Sequence, residues 1–165
     1  MRLEDFGNNM EDKKIEDRKF ELYKIYLNSI EKISDRRDNA NKYFLQIQSV
    51  IFVLCGLIIQ HGGSEKEMFL CGISIFGIIM SIIFYFLINS YKQMNSGKFK
   101  VLHEMENELD IDMYKKEWIF LEEGENRKVY FPFSHIERCI PIIFGIAYLL
   151  VIFFITQNHL AVLWK

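Results

Sequence analysis

Four histidines and a dense set of carboxylates are the side chains best equipped for chemistry in this 165-residue chain. Their spacing closes most routes. His103-Glu104 opens a zinc-helix motif, but the position that should hold its second histidine is Asn107. His61, His135 and His159 stand apart from one another and from Cys55, Cys71 and Cys139, so no zinc set forms. The three cysteines fall in or beside apolar runs and read as small packing residues. There is no Gly-rich phosphate loop and no nucleophile elbow. Arg127 and His135 have seven residues between them, too many for the arginine–histidine pair of HEPN-type ribonucleases. Lys98 and His103 have a suitable gap but the wrong first residue. Glu104, Glu106, Glu108 and Asp110 alternate along a helical stretch and read as a solvated face. The pattern is that of a non-enzymatic protein for which no cofactor or metal is expected.

The elements that carry these residues are dominated by three uncharged runs. Residues 43–64, 68–91 and 139–164 contain no Asp, Glu, Lys or Arg. Each is long enough to cross a bilayer, since about 20 residues of helix span the hydrocarbon. Charge is confined to what lies between. Of 20 Lys+Arg, ten lie in 1–42 and eight in 92–138. By the positive-inside rule both segments face the cytoplasm. The expected organisation is a cytoplasmic N-terminal helix 1–43, a span 44–61, an outer turn 62–67, a second span 68–89, a cytoplasmic helical region 90–138, a third span 139–157 and an outer tail 158–165. The fold class is an all-α membrane protein. No cleavable signal is expected, because the charged first segment precedes any apolar stretch. The net charge of −2 gives no reason to expect direct nucleic-acid binding.

Within these elements the spacing is more specific. Tyr23, Tyr26, Ile30 and Ile33 recur at helical steps, with Leu22 and Leu27 beside them, on a helix with no proline before the first span. Their partner is either the second cytoplasmic segment or a neighbouring subunit. Val101, Leu102, Met105 and Leu109 give that second segment its own apolar face. Arg36 and Arg37 sit just below the first span, where lipid phosphates are the simplest partners. Gln46, Ser49, Val53, Gly56 and Gln60 share one face of the first span at heptad spacing. Two readings stay open for it: a helix–helix seam, or the lining of a water-filled pore. On the second span, Ser74, Gly77 and Ser81 form a small-residue face suited to close helix packing. Gly62-Gly63-Ser64 predicts a tight turn. Ser134 and Glu137 have capping-box spacing before the third span, with Pro141 in its first turns. Little soluble mass remains to form a core, which argues for homo-oligomerisation.

Three stretches carry a family resemblance. They are Ser34-Asp35-Arg36-Arg37 through Asn41-Lys42-Tyr43-Phe44; Ser90 to Ser96 with Lys98-Phe99-Lys100, His103-Glu104, Tyr114 and Glu117-Trp118; and Tyr130-Phe131-Pro132-Phe133 through His135-Ile136-Glu137 and Pro141. Together, over about residues 20–145, they resemble the RipA family of octameric membrane proteins. That family is similar to the one containing the accessory membrane protein of Cas13b (type VI-B) CRISPR loci. The resemblance implies an octameric ring with a central pore in the bacterial inner membrane. It also implies antiphage or stress function through depolarisation, and a functional link to an RNA-guided effector. The competing expectation is a non-conducting membrane scaffold, similar in outline to SLATT-type effectors, that recruits a cytoplasmic partner.

Overall fold

The computed structural model describes residues 3–163, with side chains over 13–133 and 135–157. Helix α1 runs Leu3–His61, α2 Lys66–Glu108, α3 Met113–Phe120 and α4 Phe133–Leu163. No strand occurs among the described residues. Among the described residues three helices hold stretches long and apolar enough to cross a membrane. With no proline in it, α1 is unbroken, and its exposed surface carries local ion pairs such as Lys24–Glu21 at 2.9 Å and Lys42–Asp38 at 2.6 Å. It stops at two glycines. The Gly62 amide donates to Ile58 O at 2.8 Å, and an added Cβ there would lie 2.4 Å from that carbonyl. Gly63 then takes φ +57°, a left-handed value that favours glycine. The short turn Gly63–Glu65 leads directly into α2.

The chain divides into two compact units. The charged unit contains the chain up to Arg36 together with Lys92–Pro132. Its core is Tyr23, Ile30 and Leu102, packed round by Tyr26, Leu27, Phe99, Met105, Leu109 and Tyr114. The α1 stripe therefore meets the second charged segment within one chain. Leu22, one step off the stripe, is 54% exposed. The chain leaves α2 through Asp110, whose φ of 55° is left-handed, and α3 follows at once. Trp118 of α3 lies over Gly124 and 6.4 Å from the Tyr130 ring.

The apolar unit contains Arg37–Tyr91 and the chain from Phe133 onward. Its helices are tied by aromatic contacts. Phe44 of α1 stacks on Phe84 of α2 with ring centroids 3.9 Å apart, and meets Phe144 of α4 edge-on at 5.7 Å. Ile88 completes this cluster, with Ala40 and Ile140 packed against it. Between helices surrounded by lipid, such van der Waals fit replaces the hydrophobic drive that builds the charged unit. Because α4 begins at Phe133, ahead of the third apolar run, Pro141 lies inside the helix and not in its first turns. The carbonyl of Glu137, four residues before it, therefore lacks its usual i+4 donor.

Candidate functional site

The polar face of the first span lies on the outside of the protomer. Gln46, Ser49, Val53, Gly56 and Gln60 are all exposed. The packing face of α1 is a different one, made by Phe44, Gln48 and Ile51, with Cys55 and Ile58 half-buried behind them. A seam within the protomer is thus not what the polar face forms. Its members also differ chemically. The Ser49 hydroxyl donates to its own helix, at Leu45 O, 2.8 Å away. Gly56 has open space where a Cβ would stand. The two glutamine amides remain as its strong polar groups.

The polar residue that does enter the protomer's interior is Gln48, fully buried. Its Oε1 accepts the Tyr148 hydroxyl at 2.5 Å. Sequence reading passed over it in favour of Gln46 and Gln60. The signal was its register, four residues after Phe44 and three before Ile51. Tyr148 also meets the small face of α2. A Cβ on Gly77 would lie 2.5 Å from its ring, so only glycine admits the tyrosine there. Ser74 and Ser81 are buried on the same face, and the Ser81 hydroxyl donates to Gly77 O at 2.9 Å. Two buried atoms beside this arrangement, Gln48 Nε2 and Ser74 Oγ, have no hydrogen-bond partner.

At the edge of the first span, Arg37 and Asn41 converge on Glu137 of α4. Arg37 Nε lies 3.2 Å from Glu137 Oε1, and Asn41 Nδ2 donates to the same oxygen at 2.6 Å. Glu137 is only 2% exposed. The helix starts at Phe133, one residue before Ser134, whose side chain lies outside the described residues. The Glu137 carboxyl is engaged by α1. It also draws Arg37 inward, whereas Arg36 remains exposed. His135 is occupied nearby, with Nδ1 2.9 Å from an Arg138 guanidinium nitrogen.

A model of the octameric membrane protein family (8xMP) matches residues 20–157. The chain belongs to this family. No curated relative and no solved structure matches it. Membership makes it an all-α membrane protein of a family described as octameric.

For an octameric membrane protein the charged unit offers a second buried carboxylate, at Glu106. It was expected on a solvated face with Glu104, Glu108 and Asp110, and those three are exposed. Glu106 is instead fully buried. One oxygen accepts the Tyr23 hydroxyl at 3.3 Å and the Tyr114 amide at 2.8 Å, and the other accepts the Lys115 amide at 3.1 Å. It therefore caps α3 from a distance, in place of Asp112, which makes no side-chain cap. Burial first, and the adjacent Glu106 carboxylate second, push the Tyr23 phenol up to about 12. A helical step of four from Leu102 to Glu106 was the available signal. Among the described residues no cluster of His, Cys, Asp or Glu could hold a metal ion.

Proposed function

We propose that this protein is a homo-octameric ring forming a gated pore or channel in the bacterial inner membrane, with its N-terminus cytoplasmic and no catalytic role. The observation that carries this reading is the exposed polar face of α1. Gln46 and Gln60 stand outside the protomer on a helix whose other face already does the packing. A side-chain amide at membrane depth seeks water or a polar partner. Eight copies of two amides supply a hydrated lining that one copy cannot. The spans in this reading are 44–61, 68–89 and 139–157. The charged segments 1–43 and 90–138 then stand where a gate acts. Action in antiphage defence or stress, by depolarisation and in concert with an RNA-guided effector, is supported by the resemblance to the RipA family.

Reconstitution into liposomes holding a potassium gradient, read with a voltage-sensitive dye, tests the proposal. The wild-type octamer should dissipate the potential. Replacing both Gln46 and Gln60 by Leu should slow this about tenfold, equivalent to ~1.4 kcal/mol on the barrier. An octamer that leaves the potential intact would sink the pore. One observation favours a non-conducting scaffold instead. Phe120 is 80% and Ile119 55% exposed on α3, an apolar surface within a charged unit. Copurification of a stoichiometric soluble partner with an octamer that does not conduct would install that reading.

A further inference from the structure

We propose that the end of α3 docks onto a neighbouring copy of this chain, with Ile119 and Phe120 seated in the groove between α1 and α2 that Leu22, Met105 and Leu109 line. Tip and groove both belong to the charged unit. Phe120 is 80% and Ile119 55% exposed, a large apolar tip on a unit otherwise rich in charge. Beside Leu22, Met105 and Leu109 the groove has Lys19 and Glu108, an ion pair at 3.1 Å that joins α1 to α2. Ile25, one turn after Leu22 and also exposed, extends the apolar rim. The charges match as well. Glu122 and Glu123 follow the tip directly, both exposed, on backbone held at φ 51° and 53°. Arg18 and Lys19 stand one turn before Leu22 on its own face of α1. An acidic, apolar tip thus has a basic, apolar seat.

One copy does not bring the two together. Tyr114 holds α3 against Phe99 of α2, with ring centroids 6.1 Å apart. Glu108, nine residues after Phe99, lies about 180° round the same helix at 100° per residue. The helix that carries the tip is therefore fixed on one flank of α2, and the groove opens on the other. A ring requires that arrangement. Copies inserted the same way round in a bilayer are related by rotation about the membrane normal. A closed set of eight then repeats one head-to-tail contact between two different faces. Two-fold pairing of the tips would instead set Glu122 and Glu123 against their own copies, like charge against like. The contact rests on the octamer that the family describes, and it stands whether or not the assembly conducts. It gives the exposed end of α3 a second copy as its occupant, in place of a soluble partner.

Cross-linking of the full chain in mild detergent tests this. Leu22→Cys combined with Phe120→Cys, treated with a short bis-maleimide, should give a ladder of covalent products reaching eight copies on a denaturing gel. Each single variant should give only the wild-type pattern, for which Cys55, Cys71 and Cys139 set the background. Both positions are exposed in the protomer, so the substitutions leave its core intact. A second measurement needs no cross-linker. Phe120→Glu should raise the concentration at which the octamer dissociates by about tenfold or more, with helix content unchanged. An intact octamer that yields no ladder overturns the contact. So does a ladder that stops at dimers, because equal faces then meet, and so does an octamer as stable in Phe120→Glu as in the wild type. A copurifying soluble protein that shields the thiol of Phe120→Cys assigns the tip to that protein and overturns it equally. A wild-type monomer removes the octamer and this contact together, which separates that failure from failure of the contact alone.

Discussion

In the charged unit the side chains out of place are apolar: Phe120 at 80% exposure and Ile25 at 65%. In the apolar unit the reverse holds. Val53 at 63% and Phe86 at 65% exposure are ordinary there, and the anomalies are the exposed amides Gln46 and Gln60. The same degree of exposure thus means opposite things, because the surrounding medium differs. Polar burial differs in a parallel way. The charged unit gathers three donors from two helices onto the single carboxylate of Glu106. The apolar unit uses separate contacts, Tyr148 to Gln48 and Asn41 to Glu137. Orphaned atoms occur in both, at Asn95 and His103 in the first and at Gln48, Ser74, Asn41 and Glu137 in the second. Those of Gln48 and Ser74 weigh most, since both residues lie within the apolar runs and no water enters the hydrocarbon to serve them. A polar group there is either functional or structurally indispensable.

The sharpest way to break this comparison is Glu106→Ala. It strips the acceptor from Tyr23, Tyr114 and Lys115 together, at ~1–3 kcal/mol for each donor left buried. Thermal unfolding in detergent should fall by several degrees, with α3 amides losing hydrogen-exchange protection first. If α3 keeps its protection, Glu106 is not its cap. The counterpart in the apolar unit is Gly77→Ala. Its methyl group meets the Tyr148 ring and should cost about 1–3 kcal/mol by overpacking. Loss of octamer on size exclusion or a lowered unfolding temperature reports it, and a neutral result would mean that the three spans are not in this contact. The smallest effect concerns pH. The folded Tyr23 phenol, held up to about 12, binds its proton more tightly than the unfolded one near 10. The folded chain therefore keeps a proton that the unfolded chain has lost between those values, and stability must fall as pH rises through that window. Below pH 10 this term is fully present and flat. Tyr23→Phe should remove the alkaline slope and leave the neutral-pH octamer in place.

Much of the architecture could be read from composition and periodicity. The uncharged runs, the glycine turn and the step pattern of Tyr23, Ile30 and Ile33 are one-dimensional signals with direct physical causes. Long-range polar pairing was another matter. Gln46, Gln48 and Gln60 are chemically identical, and only helix register against Phe44 and Ile51 distinguishes the buried one. Glu106 looked like one acid among four, because alternation in sequence is not a face on a helix with 3.6 residues per turn. Glu137 was assigned to a local cap through a motif of four residues, when its partners lie on another helix. Local rules name what a residue can do nearby and stay silent about a partner brought up by the fold.

Pro141 leaves the Glu137 carbonyl without its internal donor, inside a helix that otherwise keeps its ladder. Bending α4 at that step strains one hydrogen bond fewer than it would in a complete ladder. The helix therefore has a fulcrum one turn beyond the contact of Glu137 with Arg37 and Asn41. Its lead-in stem, 133–140, can pivot while the remainder of the third span stays seated among its neighbours. A change at Glu137 would be felt as a tilt of that stem, at far smaller cost than melting a turn of helix.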